Sequence, residues 1–173
     1  MKIGLLALQG AFIEHAAFFR RLGAETAQVK LAEDLEGLDG LVIPGGESTT
    51  IGKLAVRYNL MSPLRRFAEH KAVWGICAGM ILMAKRIDSE RPRLGILNIS
   101  VSRNAFGRQV DSFETGVSVT VLDNEPSVAF PAVFIRAPKV KETWGEARII
   151  ARLDSQTAVA VQQWKHLATA FHP

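Results

Sequence analysis

The chain has 173 residues, 48% of them hydrophobic and 22% charged, with a formal net charge of +4. That balance excludes a disordered chain, and the length suits one domain with a sizeable core. The charge is modest, and the basic pairs Arg20-Arg21, Arg65-Arg66 and Lys85-Arg86 lack interleaved aromatics, so no nucleic-acid partner is expected.

In chain order, Lys2–Leu8 reads as a buried strand closing on Gln9-Gly10. Phe12, Ala16, Phe19 and Leu22 then recur at helical spacing, and Gly23 stops that helix. Glu25–Val29 and Gly40–Ile43 are the next strands, the latter running into Pro44-Gly45-Gly46. Helices are expected near Thr49–Tyr58 and Ser62–Glu69, a fourth strand at Ala72–Ile76 and a helix at Ala78–Ala84. The second half is different. Leu97–Ser102, Val117–Val121, Ala132–Ile135, Ala147–Leu153, Thr157–Gln162 and Leu167–Ala170 read as strands with little helix between them. Strand–helix alternation implies a parallel sheet covered on both faces. The expected fold is therefore a single-domain, open, mostly parallel α/β sheet with flanking helices and an antiparallel extension.

The sharpest local feature is Gly75-Ile76-Cys77-Ala78-Gly79, between a strand and a helix. This is a nucleophile elbow carrying sulfur in place of a hydroxyl, with small residues on either side to permit a tight turn. At a helix N-terminus a thiolate is favoured, and the Ala78 N–H is placed to meet an oxyanion on a substrate. The competing reading is a buried structural cysteine, the commoner fate of a lone one. Being single, Cys77 forms no intrachain disulfide and fits a reducing compartment. No apolar run is long enough to span a bilayer, so the chain is expected to be cytoplasmic with no membrane partner.

A thiol nucleophile needs a base. His15 and His70 sit in helical patterns among charged residues and read as solvated, and His166 falls in a turn. His172 follows the apolar stretch Leu167–Phe171, at a sheet end where α/β ligand sites form, and is the candidate base. Metal-ligand spacing is lacking, so neither a metal nor a cofactor is expected. In Pro44-Gly45-Gly46-Glu47-Ser48-Thr49-Thr50, paired glycines permit a turn with backbone donors facing a ligand, while Ser48 or Thr49 is the expected helix cap. Taken alone, Arg103 and Arg136 read as surface or structural residues, although an arginine fork suits a carboxylate.

LALQG at Leu6–Gly10, PGGESTT at Pro44–Thr50, CAGM at Cys77–Met80, RNAFGRQVDSFE at Arg103–Glu114, FIRAP at Phe134–Pro138 and AFHP at Ala170–Pro173 share one order with a known family. Together they resemble the glutaminase subunits of pyridoxal 5′-phosphate synthases, within the class-I glutamine amidotransferases. The resemblance implies that Cys77 attacks the side-chain carbonyl of L-glutamine and that His172 serves as base. It implies that Gly46, Glu47, Ser48, Arg103, Ile135 and Arg136 hold the substrate, with Gly46 and Ala78 forming the oxyanion site. It also implies a hetero-oligomer with a (β/α)8 synthase subunit that uses the ammonia.

In that family the histidine belongs to a His-Pro-Glu sequence, whereas the sequence given stops at Pro173, so the single domain spanning 1–173 is expected to be truncated at its C-terminus. Ile76, Asn98 and Gln163-Trp164 are smaller departures. Two alternatives accompany the glutaminase reading: a catalytically weak subunit that docks the same synthase, and another Cys-elbow hydrolase.

Overall fold

The computed structural model describes residues 1–88, 93–103, 112–120 and 129–173. One sheet runs β2 (Glu25–Val29), β1 (Lys2–Leu6), β3 (Gly40–Ile43), β4 (Ala72–Ile76), β12 (His166–Thr169), β11 (Ala158–Gln163), β9 (Lys139–Thr143), β6 (Leu97–Ser102), β5 (Ala84–Ile87). Strand β10 (Arg148–Arg152) pairs with β11 off this path. The first five strands are parallel, and the turn from β11 into β12 begins the antiparallel extension. A separate antiparallel ribbon joins β7 (Ser112–Val117) to β8 (Phe130–Ile135).

Side chains alternate across the parallel strands because successive Cβ atoms point to opposite faces. Ile3, Leu5, Val42 and Ile76 pack on one face with Ala16, Phe12 and Phe19 of helix α1 (Phe12–Arg21). Leu6, Leu41, Ile43 and Val73 pack on the other with α2 (Ser48–Arg57), α3 (Met61–His70) and α4 (Ala78–Met83). Side chains such as Leu5, Ile43 and Leu64 are wholly or almost wholly buried. Each contributes about 1.5–3 kcal/mol by leaving water, so the sheet is a rigid platform for whatever stands on its rim.

Most expected elements are present, and the differences have local causes. Ala84–Ile87 is a strand because α4 ends at Met83 and the chain extends at once at Ala84, with no turn residue to announce it. Lys139–Thr143 is also a strand, although its sequence KVKET is too polar to read as one. The expected Val117–Val121 strand lies elsewhere: β7 ends at Val117, Val119 makes an isolated bridge to Ala151, and position 121 is outside the described residues. Most of RNAFGRQ lies outside them as well, so only Arg103 of that segment has a described position.

Candidate active site

Four neighbouring parallel strands, β1, β3, β4 and β12, bring their carboxyl ends to one rim, where open α/β sheets place ligands. From β1 come Gln9 and Gly10, from β3 Gly45 and Gly46, from β4 Cys77, and from β12 His172. Register fixes this assembly, since Ile43 lies opposite Gly75 and Ile76 opposite Thr169. They surround a cleft of about 480 Å³, which Glu47, Ser48, Ala78, Arg103, Ile135 and Arg136 also line. Every site residue expected from the sequence therefore reaches one cavity. Gln9, Gly10, Ala11, Gly45 and Ile81 also line it and were not assigned to the site from sequence.

Cys77 sits at φ 50°, ψ −99°, a sparsely populated region for a residue with a Cβ. Such strain costs on the order of 1–3 kcal/mol and needs a surrounding structure that enforces it. Here the Cys77 N–H donates to the Thr169 carbonyl at 2.7 Å, and the Ile81 N–H closes the first turn of α4 onto the Cys77 carbonyl at 3.3 Å. Gly79 makes the close approach possible: a Cβ there would run into the Ile43 carbonyl.

The thiol is buried, and burial raises its pKa above the ordinary value, while the Ala78 N–H and the charge of Arg136 oppose the rise. Desolvation thus outweighs the helix-end effect anticipated from the elbow, and α4 is only six residues long. Burial lowers the pKa of the half-buried His172. At neutral pH the resting pair is a thiol beside a neutral imidazole, and the imidazole is free to accept a proton.

The His172 backbone is fixed by the ribbon. Its N–H donates to the Val133 carbonyl at 2.8 Å, and the Val133 N–H returns a bond to the His172 carbonyl at 3.0 Å. Phe134 stacks on Phe113 at 4.7 Å and meets Phe171 at 5.7 Å, which seals the ribbon against the end of β12. The imidazole rests on Gly45, where both ring nitrogens lie 3.1 Å from the position a Cβ would take.

Glu47, not Ser48 or Thr49, caps α2. Its carboxylate accepts from the Thr49 N–H at 3.0 Å and the Thr50 N–H at 2.7 Å. Burial opposes the charge, but the hydrogen bonds from Thr49 and Thr50 together bring its pKa down to about 2. Ser48 instead becomes the first helical residue and is buried. The Glu47 carboxylate also lies 3.6 Å from the Arg103 guanidinium, and the Glu47 N–H donates to Gln9 Oε1 at 2.7 Å. The Gly46 N–H makes no hydrogen bond among the described residues and is available to the cleft. Glu47→Ala should lose the cap, about 1 kcal/mol of stability, and release Arg103. Because the folded pKa is depressed, the stability that Glu47 contributes is present above its unfolded value and fades as pH falls toward about 2. Acid titrations of the parent and of Glu47→Ala measure this; identical curves would refute it.

The other histidines separate cleanly. His70 is exposed on α3, in keeping with its sequence context. His15 is buried at 8% exposure, against the expectation of a solvated helix position. His166 is buried at the start of β12, at the end of that strand away from the cleft.

A sheet that lifts a thiol over its carboxyl rim beside a histidine on a neighbouring strand is the arrangement of the class-I glutamine amidotransferases. The profile of the SNO glutamine amidotransferase family matches residues 5–173, and the chain belongs to that family. The pyridoxal 5′-phosphate synthase subunit PdxT of Herpetosiphon aurantiacus is 53% identical over 178 residues, covering all of this chain and 92% of the relative. The PdxT of Moorella thermoacetica is 52% identical over 175 residues, covering all of this chain and 91% of its own. A crystal structure of a glutamine amidotransferase superposes with a TM-score of 0.90 at 47% identity, over 99% of this chain and 89% of that one. A glutamine amidotransferase from Thermotoga maritima, at 16% identity and a TM-score of 0.67, shares the fold across 99% of this chain and 75% of its own. Among the described residues no helix is long and apolar enough to cross a membrane.

Proposed function

We propose that the chain hydrolyses L-glutamine to L-glutamate and ammonia, and delivers the ammonia to a separate synthase subunit that makes pyridoxal 5′-phosphate. The observation that carries this reading is the convergence of Cys77, His172, Gly46, Ala78, Arg103 and Arg136 on one cleft. His172 takes the Sγ proton as sulfur attacks the amide carbon of glutamine, and the resulting oxyanion meets the Gly46 and Ala78 N–H groups. The imidazolium gives its proton to the departing nitrogen, so ammonia leaves and a glutamyl thioester remains. Water then loses a proton to His172 and attacks the thioester carbon; glutamate departs and the thiol is restored.

Arg103 and Arg136 supply the positive charge that the substrate α-carboxylate calls for, with Gly46, Glu47, Ser48 and Ile135 shaping the walls around it. Glu47 acts through its backbone and by steadying Arg103, since its carboxylate is engaged by the α2 cap. Arg103→Ala and Arg136→Ala should each raise KM for glutamine about tenfold or more, with a smaller change in kcat. Unchanged KM in both variants would remove them from the substrate site.

The synthase partner is proposed to be a (β/α)8 subunit docked in a hetero-oligomer in the cytoplasm. Ammonia lost to water would be protonated, so transfer between docked subunits preserves its nucleophilicity. The test measures glutamate release with and without a synthase subunit from a close relative, and seeks mass-spectrometric labelling of Cys77 by a glutamine-mimicking electrophile. Absence of both glutamate release and labelling in the presence of the synthase would overturn the reading.

A further inference from the structure

Trp74 and Thr169 line no part of the cleft, yet they join the two strands that lead to its thiol and its imidazole. Cys77 follows Trp74 by three residues along the chain, and His172 follows Thr169 by three. Register sets Trp74 opposite Leu167 and Ile76 opposite Thr169, so the Trp74 and Thr169 side chains share a face and meet on the diagonal toward the rim. There the Trp74 Nε1–H donates to Thr169 Oγ1 at 3.2 Å. The Thr169 carbonyl in turn accepts the Cys77 N–H at 2.7 Å. Thr169 is buried, and the indole has no other polar group to offer it. Edge-to-face contact with Phe19 of α1, at 6.3 Å and 82°, backs the Trp74 ring from the helix side of the sheet.

We propose that Trp74 is a positioning residue for the Cys77 thiol, acting through Thr169. Paired residues between β4 and β12 end at Ile76 and Thr169. Beyond them the elbow depends on the Cys77–Thr169 backbone bond and on whatever steadies Thr169. The indole N–H supplies that steadying bond, so Thr169 is held to β4 by its side chain as well as by its carbonyl. The need is local, because Cys77 keeps a φ of 50° that a residue with a Cβ abandons unless its surroundings enforce it. No bond to substrate is made or broken at Trp74. It fixes where Sγ stands over the rim.

The clamp bears on rate rather than on affinity. Arg103 and Arg136 reach the cleft from the ends of β6 and β8, and neither strand takes part in the Trp74–Thr169 contact. Loosening the contact misplaces sulfur and leaves the hold on substrate in place.

The kinetic arm of the test rests on the glutaminase reading, and a second arm does not. Trp74→Phe keeps an aromatic ring and removes the donor; Thr169→Val keeps the shape and removes the acceptor; Thr169→Ser keeps the acceptor. With the synthase subunit present, Trp74→Phe and Thr169→Val should each lower kcat about tenfold, with KM within about twofold of the parent. The double variant should lose no more than the worse single one, and Thr169→Ser should stay near the parental kcat. Amide hydrogen exchange followed by NMR supplies the second arm, without glutamine or synthase. The Cys77 N–H should exchange about tenfold faster in both single variants, while Leu5 and Val42 in the neighbouring strands keep parental rates. A parent chain lacking glutaminase activity would sink the functional reading, and amide exchange would then decide this proposal alone. Parental Cys77 exchange in both single variants, or parental kcat in an active chain, would overturn it. Multiplying losses in the double variant, or equal acceleration at Leu5 and Val42, would also overturn it, by assigning Trp74 to packing alone.

Discussion

Cys77→Ala should reduce glutamate release to background while leaving the fold intact. In the proposed mechanism sulfur is the atom that becomes bonded to substrate, and nothing else in the described cleft is a nucleophile of its kind. In a hydrolase whose members act as a unit, losing the nucleophile costs on the order of a million-fold. The fold should survive because alanine removes one atom from a position held by backbone bonds to Thr169 and Ile81. The parent's pH behaviour gives a second measure. Burial holds the thiol pKa above the ordinary range and the His172 pKa below it. Glutamine turnover should therefore stay level through neutral pH and fall only as pH drops through the lowered imidazole value. Alkylation by a reagent that needs free thiolate should instead keep climbing above about pH 9. Appreciable turnover in the alanine variant would remove Cys77 from the chemistry. A fully ionised thiol at pH 7 would refute the electrostatic account.

Gly45→Ala should be the most damaging change of a single methyl group that spares stability. The added Cβ would be driven into the His172 ring, whose two nitrogens lie only 3.1 Å from it. An imidazole can rotate away from that contact, so the melting temperature should shift little. The proposed base would then lose the orientation that its seat on Gly45 gives it. Misplacement by about 1 Å costs on the order of a hundredfold in rate, and that loss should fall on kcat. Thermal melts and steady-state kinetics of the same preparation separate the two effects. A variant with parental kcat would show that His172 need not sit on Gly45. A variant that fails to fold would show that the ring has no room to yield.

Much of the site was legible because it depends on short motifs at strand ends. Strand–helix alternation places Gly45, Gly46, Cys77 and His172 at a common rim, and parallel register does the rest. The polarity of helix termini was less readable. Ser48 and Thr49 are better intrinsic caps than Glu47, but the longer carboxylate reaches back to two N–H groups and holds Arg103 as well. His15 was misread for a different reason. Glu14, Arg20 and Arg21 make its neighbourhood look solvated, and only the tertiary packing of α1 against β1 and β2 buries its face of the helix. The strands at Ala84–Ile87 and Lys139–Thr143 draw their conformation from partners distant in sequence, which local pattern does not carry.

The ribbon strand β8 has one further consequence. Through Val133 it fixes the backbone of His172, the proposed base, and it ends in Ile135, followed by Arg136, at the cleft wall. In the proposed mechanism, affinity for substrate and speed of proton transfer are therefore geared to a single strand. A change that tilts it, for example at Phe113 in the aromatic stack, would move KM and kcat together. Selection acting on the ribbon could not loosen one without slackening the other.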